Sequence, residues 1–143
     1  MKRTLTSALL LLLALLMSVS FVACADVEKT GIWENATYTA DKEFGKGEKT
    51  VTVVVTAEEQ SLRFTIHTDK RTLREAMDEH ALIGGPEGPY GLTLETVNGM
   101  TVDFNKGGYW WGIFKDGVAT PTGIDGIEIA DGETYELKKT NEY

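Results

Sequence analysis

The stretch Thr50–Thr68, TVTVVVTAEEQSLRFTIHT, decides the fold class of this chain. Its first seven residues are all valine or threonine, and β-branched side chains favour strands. In its second half the apolar residues Leu62, Phe64 and Ile66 alternate with polar residues, which is the pattern of a strand with one buried face. The polar residues Glu58–Gln60 lie between the two runs, so the sequence predicts a hairpin.

After this hairpin the pattern changes to that of a helix. Thr72–Glu75 fits a capping box, in which the threonine hydroxyl accepts a hydrogen bond from the glutamate amide and the glutamate carboxylate accepts one in return. The apolar residues that follow lie at helical spacing, and Gly84–Gly85 with Pro86 predicts the end of the helix. The predicted buried stripe consists of Leu73, Ala76, Met77 and Ala81.

Strand patterns return after a loop rich in glycine and proline. Asn98-Gly99 and Asp116-Gly117 are strong signals for two-residue hairpin turns, because both turn positions need a positive φ. Hairpin, single helix and further strands together predict one α+β domain, with a β-grasp-like mixed sheet as the candidate topology. The predicted strands are Leu92–Val97, Thr101–Phe104, Tyr109–Lys115, Val118–Thr120 and Thr134–Thr140.

The first residues have the pattern of a bacterial export signal. Lys2 and Arg3 precede an apolar run, and no charge occurs from residue 4 to residue 25. Phe21–Cys24 resembles a lipobox, which predicts lipidation of Cys24 and attachment to the extracytoplasmic face of the cell membrane. We therefore expect a lipoprotein signal peptide over residues 1–23, a tether and N-terminal extension over 24–48, and the folded domain over 49–143. The aromatic residues from Gly31 onward suggest that the later part of the extension lies against the domain.

Two alternatives to the lipid anchor remain open at this stage. Ala23-Cys24-Ala25 also fits ordinary signal peptidase, which would release a secreted protein beginning at Asp26. The leader could instead stay attached, because an uncharged run of about 20 residues can span a bilayer.

With cleavage before Cys24, the processed chain carries 12 basic and 22 acidic side chains, a net charge of −10. Nucleic acid is therefore excluded as a partner.

No group of residues in the sequence predicts catalysis or a metal site. The two histidines are His67, on the outer face of a predicted strand, and His80, on the predicted helix. Phosphate-binding glycine loops are absent, and the aspartates near glycine lack the close spacing of a calcium loop. We expect a binding protein and not an enzyme.

The aromatic segment Gly107–Phe114, GGYWWGIF, is the candidate binding feature. On a strand, Tyr109, Trp111 and Ile113 lie on one face and Trp110 and Phe114 on the other. One face must pack against the helix, whereas large aromatic side chains on the other can stack on a flat ligand or pack under a loop.

From Lys49 to Lys139 the chain resembles the transcobalamin C-terminal-like domain family, which occurs in bacterial exported and surface proteins. The resemblance implies a β-grasp-like fold and, since this domain covers one face of cobalamin in the vitamin carriers, cobalamin or another corrinoid as the ligand. It places the contact at Tyr90, Tyr109, Trp110 and Phe114. The motifs that carry it are Thr72–Met77, Tyr90–Leu92, Val97–Gly99, Tyr109–Trp110, Phe114–Gly117 and Asp131–Leu137.

Two functions are compatible with these patterns. The first is a membrane-anchored binding lipoprotein that captures a corrinoid for uptake and could pass it to a transporter. The alternative is a protein-interaction module of the cell envelope without a small-molecule ligand, which would dock a partner on a sheet edge or on the aromatic face.

Overall fold

The computed structural model describes residues 31–142 of the 143-residue chain. The expected signal peptide, the lipidation site Cys24 and the first part of the tether lie outside the described residues. Within them, a mixed sheet is accompanied by two short α-helices and two 3₁₀ helices. The eleven described strands are β1 Lys42–Gly45, β2 Lys49–Ala57, β3 Gln60–Thr68, β4 Ile83–Gly84, β5 Glu87–Gly88, β6 Gly91–Leu92, β7 Thr96–Val97, β8 Met100–Thr101, β9 Trp110–Lys115, β10 Val118–Ala119 and β11 Thr134–Thr140.

The main sheet has six strands in the order β1-β3-β2-β11-β9-β10. β2 and β3 form the predicted antiparallel hairpin, and β11 pairs in parallel with β2 and antiparallel with β9. A hairpin whose first strand pairs in parallel with the last long strand is the arrangement expected for a β-grasp-like sheet. The α+β prediction is therefore confirmed. One face of the long strands is buried, with Val53, Phe64 and Leu137 fully inaccessible.

Helix α1, Leu73–Asp78, begins with the predicted capping box. The Thr72 hydroxyl accepts from the Glu75 amide at 3.3 Å, and the Glu75 carboxylate accepts from the Thr72 amide at 3.1 Å. These bonds fit a stable first turn. They also lower the pKa of Glu75, chiefly through the backbone amides of Thr72 and Arg71.

The helix is shorter than the sequence pattern predicts, and the prediction was wrong beyond Asp78. Ala81 has a positive φ of 52° and is exposed, so it does not extend the buried stripe. The Leu82 amide donates to the Met77 carbonyl at 3.1 Å, which reverses the chain and buries the Leu82 side chain. Met77 lies on the buried face of the helix as expected.

The region between α1 and β9 forms two small sheets instead of one long hairpin. β4, β7 and β8 pair around Asn98-Gly99, whereas β5 pairs with β6. The predicted strand Leu92–Val97 is therefore divided between two sheets. The predicted strand Thr101–Phe104 ends early, because helix α2, Phe104–Gly107, begins there and is capped by the Asp103 carboxylate.

The N-terminal extension belongs to the fold from residue 31 onward. Trp33, in the 3₁₀ helix Gly31–Trp33, is buried, and β1 pairs in parallel with β3. The expected domain boundary at Lys49 therefore lies inside the folded unit. No helix within residues 31–142 combines the length and apolar character needed to cross a bilayer.

Candidate functional site: an aromatic cavity beside strand β9

Strand β9 presents aromatic side chains on both faces of the sheet. Ile113 pairs with Leu137 and Trp111 with Lys139 of β11, so both lie on the face that includes the core. Trp111 is 3% exposed. Trp110 and Phe114 lie on the opposite face, as the alternation predicts.

Gly112 makes room for the two outer aromatic rings. A Cβ atom at this position would lie 2.7 Å from Phe114 Cε2 and 3.3 Å from Trp110 Cζ3. A side chain on Gly112 would therefore displace at least one ring. Both aromatic side chains are only partly buried, so their rings form an accessible apolar surface outside the sheet.

An open cavity of about 420 Å³ lies beside β9, and we refer to it as the aromatic cavity. Its volume is within the range of small-molecule pockets, which are typically lined by apolar and aromatic side chains with a few polar groups. Its lining combines β9 with the loop after β6 and with residues close to the second 3₁₀ helix, Ile124–Gly126. The principal apolar residues are Leu92, Leu94, Trp110, Trp111, Ile113 and Ile124.

Trp111 adds a polar group to this apolar lining. Its indole Nε1 is buried and has no hydrogen-bond acceptor among the described residues. Buried polar groups are nearly always paired, so an indole N–H left without an acceptor calls for a specific explanation. Because the nitrogen itself is covered, a ligand oxygen could reach it only after the cavity lining moves.

The four residues expected at the binding site do not share one cavity. Trp110 lines the aromatic cavity. Phe114 borders a separate depression with Val54 and Glu136. Tyr109 is 41% exposed and lies under Lys139, whose Nζ is 4.9 Å from the ring centroid. Tyr90 lies between β5 and β6, with 97% of its surface exposed.

The role of these four residues in binding stays a prediction. Sequence reasoning did not identify the loop residues of the cavity, Leu92, Leu94 and Ile124. They come from segments that are distant along the chain, and no periodic pattern connects them. The paired tryptophans were the one local signal, and they do mark the strand that forms the cavity wall.

A cluster of charges includes Asp125, which follows the cavity residue Ile124 in the chain. Arg74 of α1 donates to Asp125 Oδ1 at 2.6 Å, to Asp78 Oδ2 at 3.0 Å and to the Glu87 carboxylate. The guanidinium lowers the pKa of Glu87. Partial burial raises the pKa of Asp125, but the hydrogen bonds from the Leu92 amide and from Arg74 outweigh it, so the net shift is downward.

A larger depression of about 550 Å³ lies near the two histidines, but its character is polar. Two of its charged side chains, Lys70 and Glu79, pair with each other at 3.9 Å. His67 Nε2 lies 2.6 Å from the Glu43 carboxylate. His80 follows α1 instead of lying on it, and its ring packs against Phe44.

The described residues offer no evident metal centre. Within residues 31–142, no group of three or more histidine, cysteine, aspartate or glutamate side chains is placed to hold a metal ion. The aromatic cavity therefore remains the best candidate among the described depressions, because it alone combines a largely apolar lining with a buried unpaired donor.

Two solved structures resemble this chain, and they differ in sequence identity and in how much of the other protein the match covers. A protein from Ruminococcus gnavus ATCC 29149, provisionally described as metal-binding, is 33% identical with a TM-score of 0.63, and the match covers 67% of this chain and 100% of that one. Haptocorrin in complex with Cbi is 14% identical with a TM-score of 0.57, covering 70% of this chain and 27% of haptocorrin. The second likeness shows the fold alone. No family model and no curated protein matches the chain.

Proposed function

We propose, from the premise that this chain belongs to the same family as the Ruminococcus gnavus protein, that it is a binding module without catalytic activity. It takes a small, partly apolar ligand in the aromatic cavity. The observation that carries the proposal is the cavity itself, whose largely apolar lining includes Trp111, a residue whose buried indole N–H has no acceptor among the described residues.

Cobalamin or another corrinoid is the first candidate for the ligand. The support is the resemblance of the sequence motifs to the transcobalamin C-terminal-like family and the fold shared with part of haptocorrin. The cavity is open and of modest volume, so a ligand as large as a corrinoid would be covered on one side only. Small-molecule sites generally enclose most of the ligand, so we expect weak binding by this chain alone.

The location of the protein is part of the proposal. Lipidation at Cys24 would hold the module on the extracytoplasmic face of the membrane, where a captured ligand could be passed to a transporter. The intact mass of the native protein, compared with that of the Cys24→Ser variant, tests this attachment.

Metal binding does not follow from the name of the relative. The described residues contain no cluster of three suitable ligands, so the metal-binding description of the Ruminococcus gnavus protein has no counterpart that we can identify in residues 31–142.

Titration with cobalamin tests the proposed ligand. A chain beginning at Ala25 is titrated by calorimetry and by tryptophan fluorescence. We expect binding that Leu94→Arg weakens at least tenfold, because a long charged side chain would enter the cavity. Ile32→Arg is the matched control, since Ile32 is also a partly buried apolar residue but lies in the first 3₁₀ helix and lines neither the aromatic cavity nor the depression next to Phe114.

Two results would contradict the corrinoid proposal. One is the absence of binding by the folded chain at millimolar cobalamin. The other is equal binding by both variants, which would place the contact elsewhere.

A protein-interaction module is the alternative, and the exposed Val118 on the short edge strand β10 favours it, because an edge strand can pair with a partner.

A further inference from the structure

The β5–β6 hairpin is attached to the rest of the fold by few contacts. Its two strands, of two residues each, pair only with each other in the part of the chain that the structure describes. Residues 85–90 are all exposed, and the ring of Tyr90 at the tip contributes almost no buried surface. Segments with little buried apolar area open at a lower free energy than the core does.

The side of the hairpin that faces the domain is held by Arg74. This side chain is 21% exposed, and its guanidinium contacts Glu87 of β5 and Asp125 beside the cavity. A partly buried guanidinium that bonds several carboxylates in its planar fork is stronger than an isolated surface ion pair. Arg74 therefore connects three segments: helix α1, the hairpin and the second 3₁₀ helix.

Leu92 couples this ion cluster to the cavity. Its backbone amide donates to Asp125 Oδ2 at 2.9 Å, while the residue lines the aromatic cavity. The preceding Gly91 has a φ of 101°, and a Cβ atom there would lie 2.5 Å from Asp125 Oδ2. The backbone approaches the carboxylate so closely that only glycine fits at this position.

We infer that Arg74 is a positioning residue, which holds the β5–β6 hairpin in place as a movable wall of the aromatic cavity. Release of the Arg74–Asp125 contact frees the Leu92 amide and lets the hairpin move away from β9. The cavity then opens toward Trp111 while the main sheet stays intact. The inference rests on the proposed function only in treating this cavity as the binding site.

Hydrogen exchange of the ligand-free chain tests the inference directly. The reporters are the Leu92 amide and the Trp111 indole N–H, followed by NMR, with the Val53 amide in the centre of the main sheet as the measure of global unfolding. In Arg74→Met we expect exchange at both reporters to be at least tenfold faster, with exchange at Val53 unchanged. Exchange at the reporters in Arg74→Lys should be intermediate between the wild type and Arg74→Met, because an ammonium group keeps the charge but cannot reproduce the planar fork of the guanidinium.

The matched control is Arg71→Met. It removes an arginine of the same segment whose contact of 3.7 Å with Glu128 is highly exposed. This variant should leave both reporters unchanged. If Arg74→Met does not fold, Asp125→Asn decides by the same criterion, since an amide has a single acceptor oxygen and cannot accept from both Arg74 and the Leu92 amide as the two carboxylate oxygens do.

The inference is overturned if, in Arg74→Met, the two reporters exchange as slowly as in the wild type. It is also overturned if their exchange accelerates by the same factor as that of the Val53 amide. The second result would mean that Arg74 contributes only to global stability. Because no ligand is present, failure of cobalamin binding contradicts the proposed function without affecting this measurement. If cobalamin does bind, Arg74→Met should also increase its dissociation rate.

Discussion

Asn98 has two structural roles in a single buried side chain. It has a positive φ of 51° in the turn between β7 and β8, which is the conformation that Asn-Gly turns require. Its side chain also accepts from the Tyr38 amide and donates to the Tyr38 carbonyl, each at 2.9 Å. The turn therefore holds the N-terminal extension against the domain.

Replacing Asn98 with alanine should be strongly destabilising. Asn98→Ala leaves two backbone groups of Tyr38 without partners and places alanine in a left-handed conformation, for an expected loss of about 3 kcal/mol in the free energy of unfolding. Asp116→Ala is the control, because Asp116 has the same φ of 51° before a glycine but is exposed. It should cost about 1 kcal/mol. Urea unfolding that shows equal losses would contradict the role of the Tyr38 contacts.

At the scale of elements, the end of helix α1 explains why its length was mispredicted. The pattern of apolar residues continues to Ala81, but the chain reverses after Asp78 and Ala81 adopts the left-handed conformation. Glycine is the usual residue at such a position. Tertiary packing decides this reversal, because it buries Leu82 completely.

Ala81→Gly should therefore stabilise the protein. The side chain is exposed, so its removal loses little packing, and glycine relieves the strain of the positive φ of 52°. We expect a gain of about 0.5 to 1 kcal/mol in the free energy of unfolding. Ala130→Gly is the control at an exposed alanine without a positive φ, and it should be neutral or slightly destabilising. A loss of stability in Ala81→Gly would argue against strain at this position.

The accuracy of prediction from the sequence differed between elements for physical reasons. The long strands and the two-residue turns were predicted well, since alternation and positive-φ residues are local properties, and β11 matches the prediction residue for residue. The division of Leu92–Val97 between two sheets depends on contacts with distant segments, such as the bond from Leu92 to Asp125. The aromatic cavity was missed for the same reason, because its wall is assembled from separate loops.

At the scale of the whole molecule, Glu133 connects the centre of the main sheet to the turn before β11. Its carboxylate accepts hydrogen bonds from Lys115, from the Tyr135 hydroxyl at 2.5 Å and from the Ala130 amide at 2.9 Å. Partial burial raises the pKa of Glu133, but these three donors outweigh it and lower the pKa to about 2. Burial of the Tyr135 hydroxyl and its hydrogen bond to Glu133 together raise the pKa of Tyr135.

This carboxylate should account for a measurable part of the acid sensitivity of the fold. A pKa of about 2 in the folded state lies below the value of about 4.3 in the unfolded chain, so the stabilisation is complete above pH 5 and is lost as the pH falls toward 2. The shift corresponds to at most about 3 kcal/mol, because each pKa unit represents about 1.4 kcal/mol. Glu133→Gln should be less stable at pH 7 and should lose less stability between pH 5 and pH 2, measured by urea unfolding at each pH. Glu128→Gln, at an exposed carboxylate, should keep the wild-type slope. A wild-type slope in Glu133→Gln would instead assign the acid sensitivity to the other carboxylates of this acidic chain.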